Sequence, residues 1–203
     1  MNTEPESAER GDTERAEAKS RLRTELRRRL EALPPEEARA ASEEIAERAL
    51  ALPEIAGAGG VLTCLSFGTE VDTWGLVGRL LEAGKRVYAP RSHREGLRLS
   101  VHRYPCPLRT LSFGLKEPAR GVPEVPADHL AEEIDAALIL GLGFDRRGYR
   151  LGYGAGYFDR FLAGKTFPAV GLAFDLQVVD RLPTEPHDVP MRVVLTESGE
   201  YRA

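Results

Sequence analysis

The sequence predicts a three-layer α/β domain with a central, mostly parallel sheet and an N-terminal helical hairpin docked on it. Three observations carry that reading. The short apolar runs Val61–Phe67 (VLTCLSF), Ala136–Leu142 and Ala169–Phe174 (AVGLAF) have the unalternating character of strands covered on both faces. A helical segment, Thr73–Ala83, separates the first run from a short strand at Arg86–Ala89, and strand, helix, strand at that spacing is a right-handed βαβ unit. Finally, Leu22, Leu26, Leu30 and Leu33 recur at helical spacing before Pro34 and Pro35, and Ala38, Ala41, Ile45 and Ala49 recur after them.

Taken in order, residues 1–15 are polar and Glu-rich and are expected to form a disordered tail, with one domain over 16–203. In the first helix Lys19 and Arg23 lie four apart and project from one face. Pro53–Gly60 reads as a linker. After the first strand Gly68, Thr69 and Glu70 turn the chain, Asp72 N-caps the next helix and Gly84 ends it. Leu97–Tyr104 alternates as a strand with one wet face. Pro105–Pro126 is expected to be irregular and contains the phrase GLKEP, Gly114–Pro118. Leu182–Pro190 is punctuated by proline, and Arg192–Thr196 reads as the last strand.

Composition narrows the function. With 203 residues, a net charge of -4 and a pI near 5.7, the chain is not a general nucleic-acid binder. The basic residues ring the first helix without forming a stripe, which argues against a nucleic-acid-binding helical module. No apolar run approaches a membrane span, and the N-terminus lacks the apolar core of a signal peptide, so a cytoplasmic protein is expected. Cys64 reads as a buried thiol. Cys64 and Cys106 make neither a disulfide framework nor a zinc site, and His93, His102, His129 and His187 are too scattered for a histidine-built metal centre.

The most distinctive stretch is Leu138–Leu162. An apolar strand empties into a segment with five glycines in fourteen residues, Gly143–Gly156, and Tyr157–Leu162 then starts a helix. Strand, glycine-rich loop with cations and helix start form an anion cradle. Neither common phosphate signature fits: GKT at Gly164–Thr166 has Asp159 where a Walker loop needs glycine, and Gly152, Gly154 and Gly156 form GxGxG, not GxGxxG. The combination that remains is Arg150 for phosphate oxygens, Tyr153 and Tyr157 among the glycines, and Asp159 as a hard ligand suited to Mg2+. Glu70 follows another strand of the same sheet, so it can face the same crevice at the carboxyl edge.

These motifs together resemble the 5-formyltetrahydrofolate cyclo-ligases, also called methenyltetrahydrofolate synthetases. The resemblance rests on GFDRRGYRLGYGAGYFDRFL at Gly143–Leu162, the Lys19–Arg23 phrase KSRLR, Glu70–Thr73, the GxxEP phrase at Gly114–Pro118, and Gln177, Pro183 and His187–Asp188. It implies ATP-dependent closure of 5-formyltetrahydrofolate to 5,10-methenyltetrahydrofolate through a phosphorylated formyl group, with release of ADP and phosphate. ATP would be held by Lys19, Ser20, Arg21, Leu22 and Arg23 and by Arg150, Leu151, Gly152, Tyr153, Gly154, Ala155, Gly156, Tyr157 and Phe158. Lys19, Arg150 and Asp159 would carry catalysis, and Asp159 and Asp188 would hold Mg2+. Leu65, Glu70, Tyr153, Gly154, Ala155, Gly156 and Tyr157 would contact the reduced folate. The family often has a basic or small residue at Ala155 and a second tyrosine at Phe158. A monomer acting on reduced folate and ATP, with no nucleic-acid or membrane partner, is expected; the alternative is a non-catalytic folate- or nucleotide-binding protein of the same fold.

Overall fold

The computed structural model describes residues 4–203, with side chains from residue 11 onward. In chain order the helices are α1 (Glu4–Glu31), α2 (Pro35–Ala51), α3 (Pro53–Ala56), α4 (Trp74–Glu82), α5 (Leu130–Glu133) and α6 (Tyr157–Leu162). The strands are β1 (Gly60–Thr63), β2 (Arg86–His93), β3 (Arg98–Tyr104), β4 (Leu108–Thr110), β5 (Lys116–Pro118), β6 (Ala136–Ile139), β7 (Gly143–Asp145), β8 (Arg150–Leu151), β9 (Ala169–Leu172), β10 (Val178–Val179), β11 (Val193–Leu195) and β12 (Glu200–Arg202).

The main sheet has the order β12-β11-β9-β6-β1-β2-β3. Its five central strands are parallel, and β3 and β12 close the two edges antiparallel. Alternate residues of one strand serve opposite cores, as the period of two requires. Val61, Ala136, Leu138, Val170 and Val193 pack under α2, α3 and α4, whereas Leu62, Ala137, Ile139, Ala169 and Val194 pack under α5 and α6. That is the three-layer arrangement the apolar runs predict. Among the described residues no helix is long and apolar enough to cross a membrane.

Several details depart from the sequence reading. The segment expected to be a disordered tail is helical from Glu4, so α1 absorbs it up to the limit of the described residues; residues 1–3 lie outside them. Gly11 and the many charges do not break the helix, and pairs such as Arg15 with Asp12, three apart at 2.9 Å, support its exposed face. Pro53–Gly60 is not a plain linker but carries the single-turn helix α3, started by Pro53 in its first turn. Pro105–Pro126 contains the hairpin β4–β5, and Arg192–Thr196 is followed by one more strand, β12.

The glycine-rich segment also divides. Its first half is a hairpin, β7–β8, joined to β10 in a three-stranded sheet. The buried Asp145 carboxylate closes the turn by accepting from the amides of Arg147 (2.9 Å) and Tyr149 (3.1 Å), and Gly148 turns the chain at φ +87°. Only Gly152–Gly156 is left as open loop. A third small core, Leu26, Leu151 and Leu182 with Leu22 against them, clamps α1 onto this hairpin.

Candidate active site

Strand β1 leads to β2 on one side of the sheet, while β6 and β9 lie on the other, so the topology reverses between β1 and β6. A cleft of about 510 Å3 opens beyond the carboxyl ends of these strands, as expected at a switch point. Cys64 and Leu65, just after β1, and Leu140, just after β6, are at its floor. The loop Gly152–Gly156 with Tyr157, Phe158 and Asp159 forms one wall, and Phe113, Leu115 and Lys116 of the β4–β5 hairpin line another. Arg23 from α1 and His187 and Asp188 from the proline-punctuated segment complete it.

The β1–α4 loop is fixed by side chains that take over where strand pairing stops. Ser66 and Thr73 each bond the other's backbone amide, at 2.9 and 3.0 Å, and the Thr73 hydroxyl donates to the Cys64 carbonyl at 2.8 Å. This places Glu70, whose carboxylate accepts from the Phe67 amide (3.1 Å) and from the Tyr153 hydroxyl (2.9 Å). Loss of water around it raises the Glu70 carboxyl to about 7, against the pull of those two donors. Burial, with Glu70 next to it, also raises the Tyr153 phenol. Tyr153 sits 6.0 Å from the Phe67 ring, and Phe67 lies edge-on to Phe113 at 5.5 Å. Cys64 packs against the main core at the floor of the cleft, where lack of water pushes its thiol up to about 12.

The opposite end is charged. Arg150 is 5% exposed, donates to Asp159 at 3.0 Å and stacks on the Phe158 ring at 5.3 Å; its Nε is buried without a partner. Lys19 bridges Glu185 (2.8 Å) and Asp188 (3.0 Å), and its hydrogen bond holds the Glu185 carboxyl below the usual range. Arg23 donates through Nε to the Gly152 carbonyl at 2.9 Å, so α1 grips the loop directly. At Gly154, φ is +110° and a Cβ would approach that guanidinium at 3.7 Å. Gly156 is left-handed at φ +67° and leads into α6. With only six residues α6 supplies little dipole.

Most of the sequence-derived candidates converge here: Leu65, Glu70, Arg23, Arg150, Gly152 to Asp159 and Asp188 line one cleft, and Lys19 adjoins it through Asp188. Four candidates do not. The Arg21 side chain is 74% exposed and pairs with Glu17, Ser20 is exposed, and Leu22 and Leu151 are packed in the small core behind the loop. The two metal candidates, Asp159 and Asp188, have different partners, Arg150 and Lys19. The ligand atoms that do cluster, within 4.8 Å of one another, belong to Glu185, His187 and Asp188. Sequence reasoning passed over Arg27, Phe67, Phe113 and Glu185. Arg27 was legible as the next member of the Lys19, Arg23 series, and its guanidinium lies 5.9 Å above the Tyr153 ring. Gln177, named only as part of a motif, is a buried brace: it donates to the carbonyls of Gly141 (2.8 Å) and Leu142 (3.2 Å) where the chain leaves β6.

Residues 15–197 match the 5-formyltetrahydrofolate cyclo-ligase family. The chain belongs to that family. It is 36% identical over 180 residues to the 5-formyltetrahydrofolate cyclo-ligase of Escherichia coli K12, covering 85% of this chain and 97% of that one. To the enzyme of the same name from Mycolicibacterium smegmatis it is 37% identical over 186 residues, 88% of this chain and 93% of that one. Among solved structures, Aquifex aeolicus 5,10-methenyltetrahydrofolate synthetase superposes with a TM-score of 0.76 at 34% identity, covering 91% of this chain and 92% of that one. The Mycoplasma pneumoniae protein, at 22% identity and a TM-score of 0.70 over 88% of this chain and 98% of that one, shares the fold.

Proposed function

We propose that the chain catalyses the ATP-dependent conversion of 5-formyltetrahydrofolate to 5,10-methenyltetrahydrofolate, releasing ADP and phosphate. The observation that carries the reading is that a single loop, Gly152–Gly156, joins a cationic end with an unpartnered buried Arg150 Nε to an apolar, aromatic end holding Glu70. Family membership and relatives above 30% identity over most of the chain support it.

The chemistry explains why both ends are needed. A formamide carbon is a poor electrophile, and closure by N10 must expel its oxygen. If the formyl oxygen first attacks the γ-phosphorus, the Pγ–O bond to ADP breaks and ADP leaves. N10 then attacks the activated carbon, the C–O bond breaks, phosphate departs and the N10 proton is lost. Positioning and charge neutralisation are the protein's share. In this reading Arg150, with Lys19 and Arg23, faces the phosphate oxygens, and the Gly152–Gly156 amides hold others. Glu70 accepts from the polar pterin edge, and Phe67 and Tyr153 flank the rings. Glu185 and Asp188, whose ligand atoms cluster within 4.8 Å, offer hard carboxylate oxygens that fit Mg2+, with Asp159 a further carboxylate on the same cleft; the ion would neutralise charge on the transferring phosphoryl group. We further propose a monomer working in a reducing compartment such as the cytoplasm, where the free Cys64 and Cys106 stay reduced.

The direct test mixes the protein with MgATP and 5-formyltetrahydrofolate and follows the methenyl product by its absorbance. ATP-dependent product is expected; its absence from folded protein would end the reading in favour of a non-catalytic binder.

A further inference from the structure

We propose that Glu117 is a positioning residue for the folate end of the cleft: it pins the β4–β5 hairpin to β2 and thereby sets the wall that carries Phe113, Leu115 and Lys116. The proposal rests on the cyclo-ligase reading for its substrate, but its geometry stands by itself. Glu117 is a carboxylate with a side chain 2% exposed, in a short strand at the rim of the molecule. One oxygen accepts from the Ser92 amide (3.0 Å) and hydroxyl (2.8 Å) on β2. The other accepts from Arg109, directly across the hairpin, through Nε at 3.0 Å and through Nη2. A carboxylate so surrounded has fixed position and orientation, because both oxygens are held from different directions.

Besides Glu117 the hairpin has one further polar tie to β2, Arg91 donating to the Ala119 carbonyl just past β5 at 2.9 Å, and little apolar support. Of its residues 108–118 only Leu108 packs against the main core, and none joins the second apolar cluster. Phe113 at the tip is 57% exposed and touches the cleft through Phe67. Lys116 reaches over the Trp74 ring at 5.3 Å, a modest contact at an exposed site. A segment with so little buried apolar surface can lose its place without unfolding the domain. The polar anchor at Glu117, the one tie that holds both the far strand of the hairpin and Arg109 across it, therefore sets where the wall stands. A purely structural carboxylate would serve the whole fold; this one serves a surface that the fold does not need and the cleft does.

The chain has one tryptophan, Trp74, and Lys116 covers it, so its fluorescence reports the hairpin directly. Glu117→Ala and Glu117→Gln are compared with the parent protein in steady-state kinetics and in acrylamide quenching of Trp74. Glu117→Ala is expected to raise KM for 5-formyltetrahydrofolate on the order of tenfold, with KM for ATP within about twofold, and Glu117→Gln to lie between. Quenching of Trp74 is expected to rise in the same order. Parent-like folate KM and quenching in Glu117→Ala would overturn the proposal, as would an equal loss in both substrates' KM and in kcat that tracks a lowered melting temperature. Should Glu117→Ala fail to fold, Ser92→Ala removes one donor and leaves the carboxylate, and the same split between folate and ATP decides. If the parent makes no methenyl product, the cyclo-ligase reading falls separately, and Trp74 quenching in the Glu117 variants still supports or overturns the anchor.

Discussion

Glu70→Gln should make the protein more stable as the pH rises through neutrality, relative to the parent. The parent carboxyl has its pKa raised from 4.5 to about 7 because water is removed from around it. Below pH 4.5 both folded and unfolded chains hold the proton and Glu70 contributes no pH-dependent penalty. Between 4.5 and 7 the folded chain keeps a proton that the unfolded chain has lost, so stability falls with pH by about 1.4 kcal/mol per unit; above 7 the loss is constant. The full shift corresponds to about 3 kcal/mol, and the solvent contact the side chain retains trims it to about 2 kcal/mol. An amide mimics the protonated acid, accepting from the Phe67 amide and donating towards the Tyr153 hydroxyl oxygen, but it does not titrate. Urea unfolding at pH 5 and pH 8 reads the difference: the variant's midpoint should move up relative to the parent by about 1 M between the two. A midpoint difference that stays flat with pH would refute a carboxyl raised by burial. The same titration predicts that folate binding strengthens as pH rises through 7 in the parent and not in the variant, because the ionised form is the stronger acceptor for pterin N–H groups.

Asp159→Asn should cut turnover by at least about a hundredfold in the methenyl absorbance assay, while near-ultraviolet circular dichroism stays native. Asp159→Ala should be less clean, since it strands the buried Arg150 charge and lowers stability by about 3 kcal/mol in urea unfolding. Lys19→Met should raise KM for ATP far more than KM for folate and return the Glu185 carboxyl upward, which carboxyl-resolved NMR titration reads. Gly148→Ala should destabilise by about 2 kcal/mol or more in the same unfolding assay, because φ is +87° and a Cβ would collide with the Met191 carbonyl oxygen. Gly154→Ala meets the Arg23 guanidinium only at ordinary contact distance, so its cost of about 1 kcal/mol of stability comes from the φ of +110°, with its larger effect on KM for ATP.

Local chemistry made much of the fold legible. The unalternating runs around Val61, Ala136 and Ala169 had to be buried on both faces, and Pro34 and Pro35 had to divide the first two helices. Where the reading went astray, contacts distant in sequence had decided the outcome. The Gly143–Gly156 segment looks like one loop until Asp145 is seen to bind the amides of Arg147, Tyr149 and, 37 residues on, Leu182. Hairpin β4–β5 has too few residues and too many prolines nearby for its period to be read, and its place on β2 is fixed by the contact of Glu117 with Ser92, 25 residues away.

For the candidate site the sequence by itself determined which chemistry is available: guanidinium groups, glycines, tyrosines and carboxylates in an order that marks the family. Only the tertiary structure decided who faces whom. Lys19 meets Asp188 across 169 residues, Tyr153 meets Glu70 across 83, and Asp159 turns to Arg150. Those pairings, with the burial that goes with them, set the charge on Glu70 and leave Arg150 Nε unpartnered, because proton affinity and desolvation depend on neighbours in space and not on neighbours in the chain.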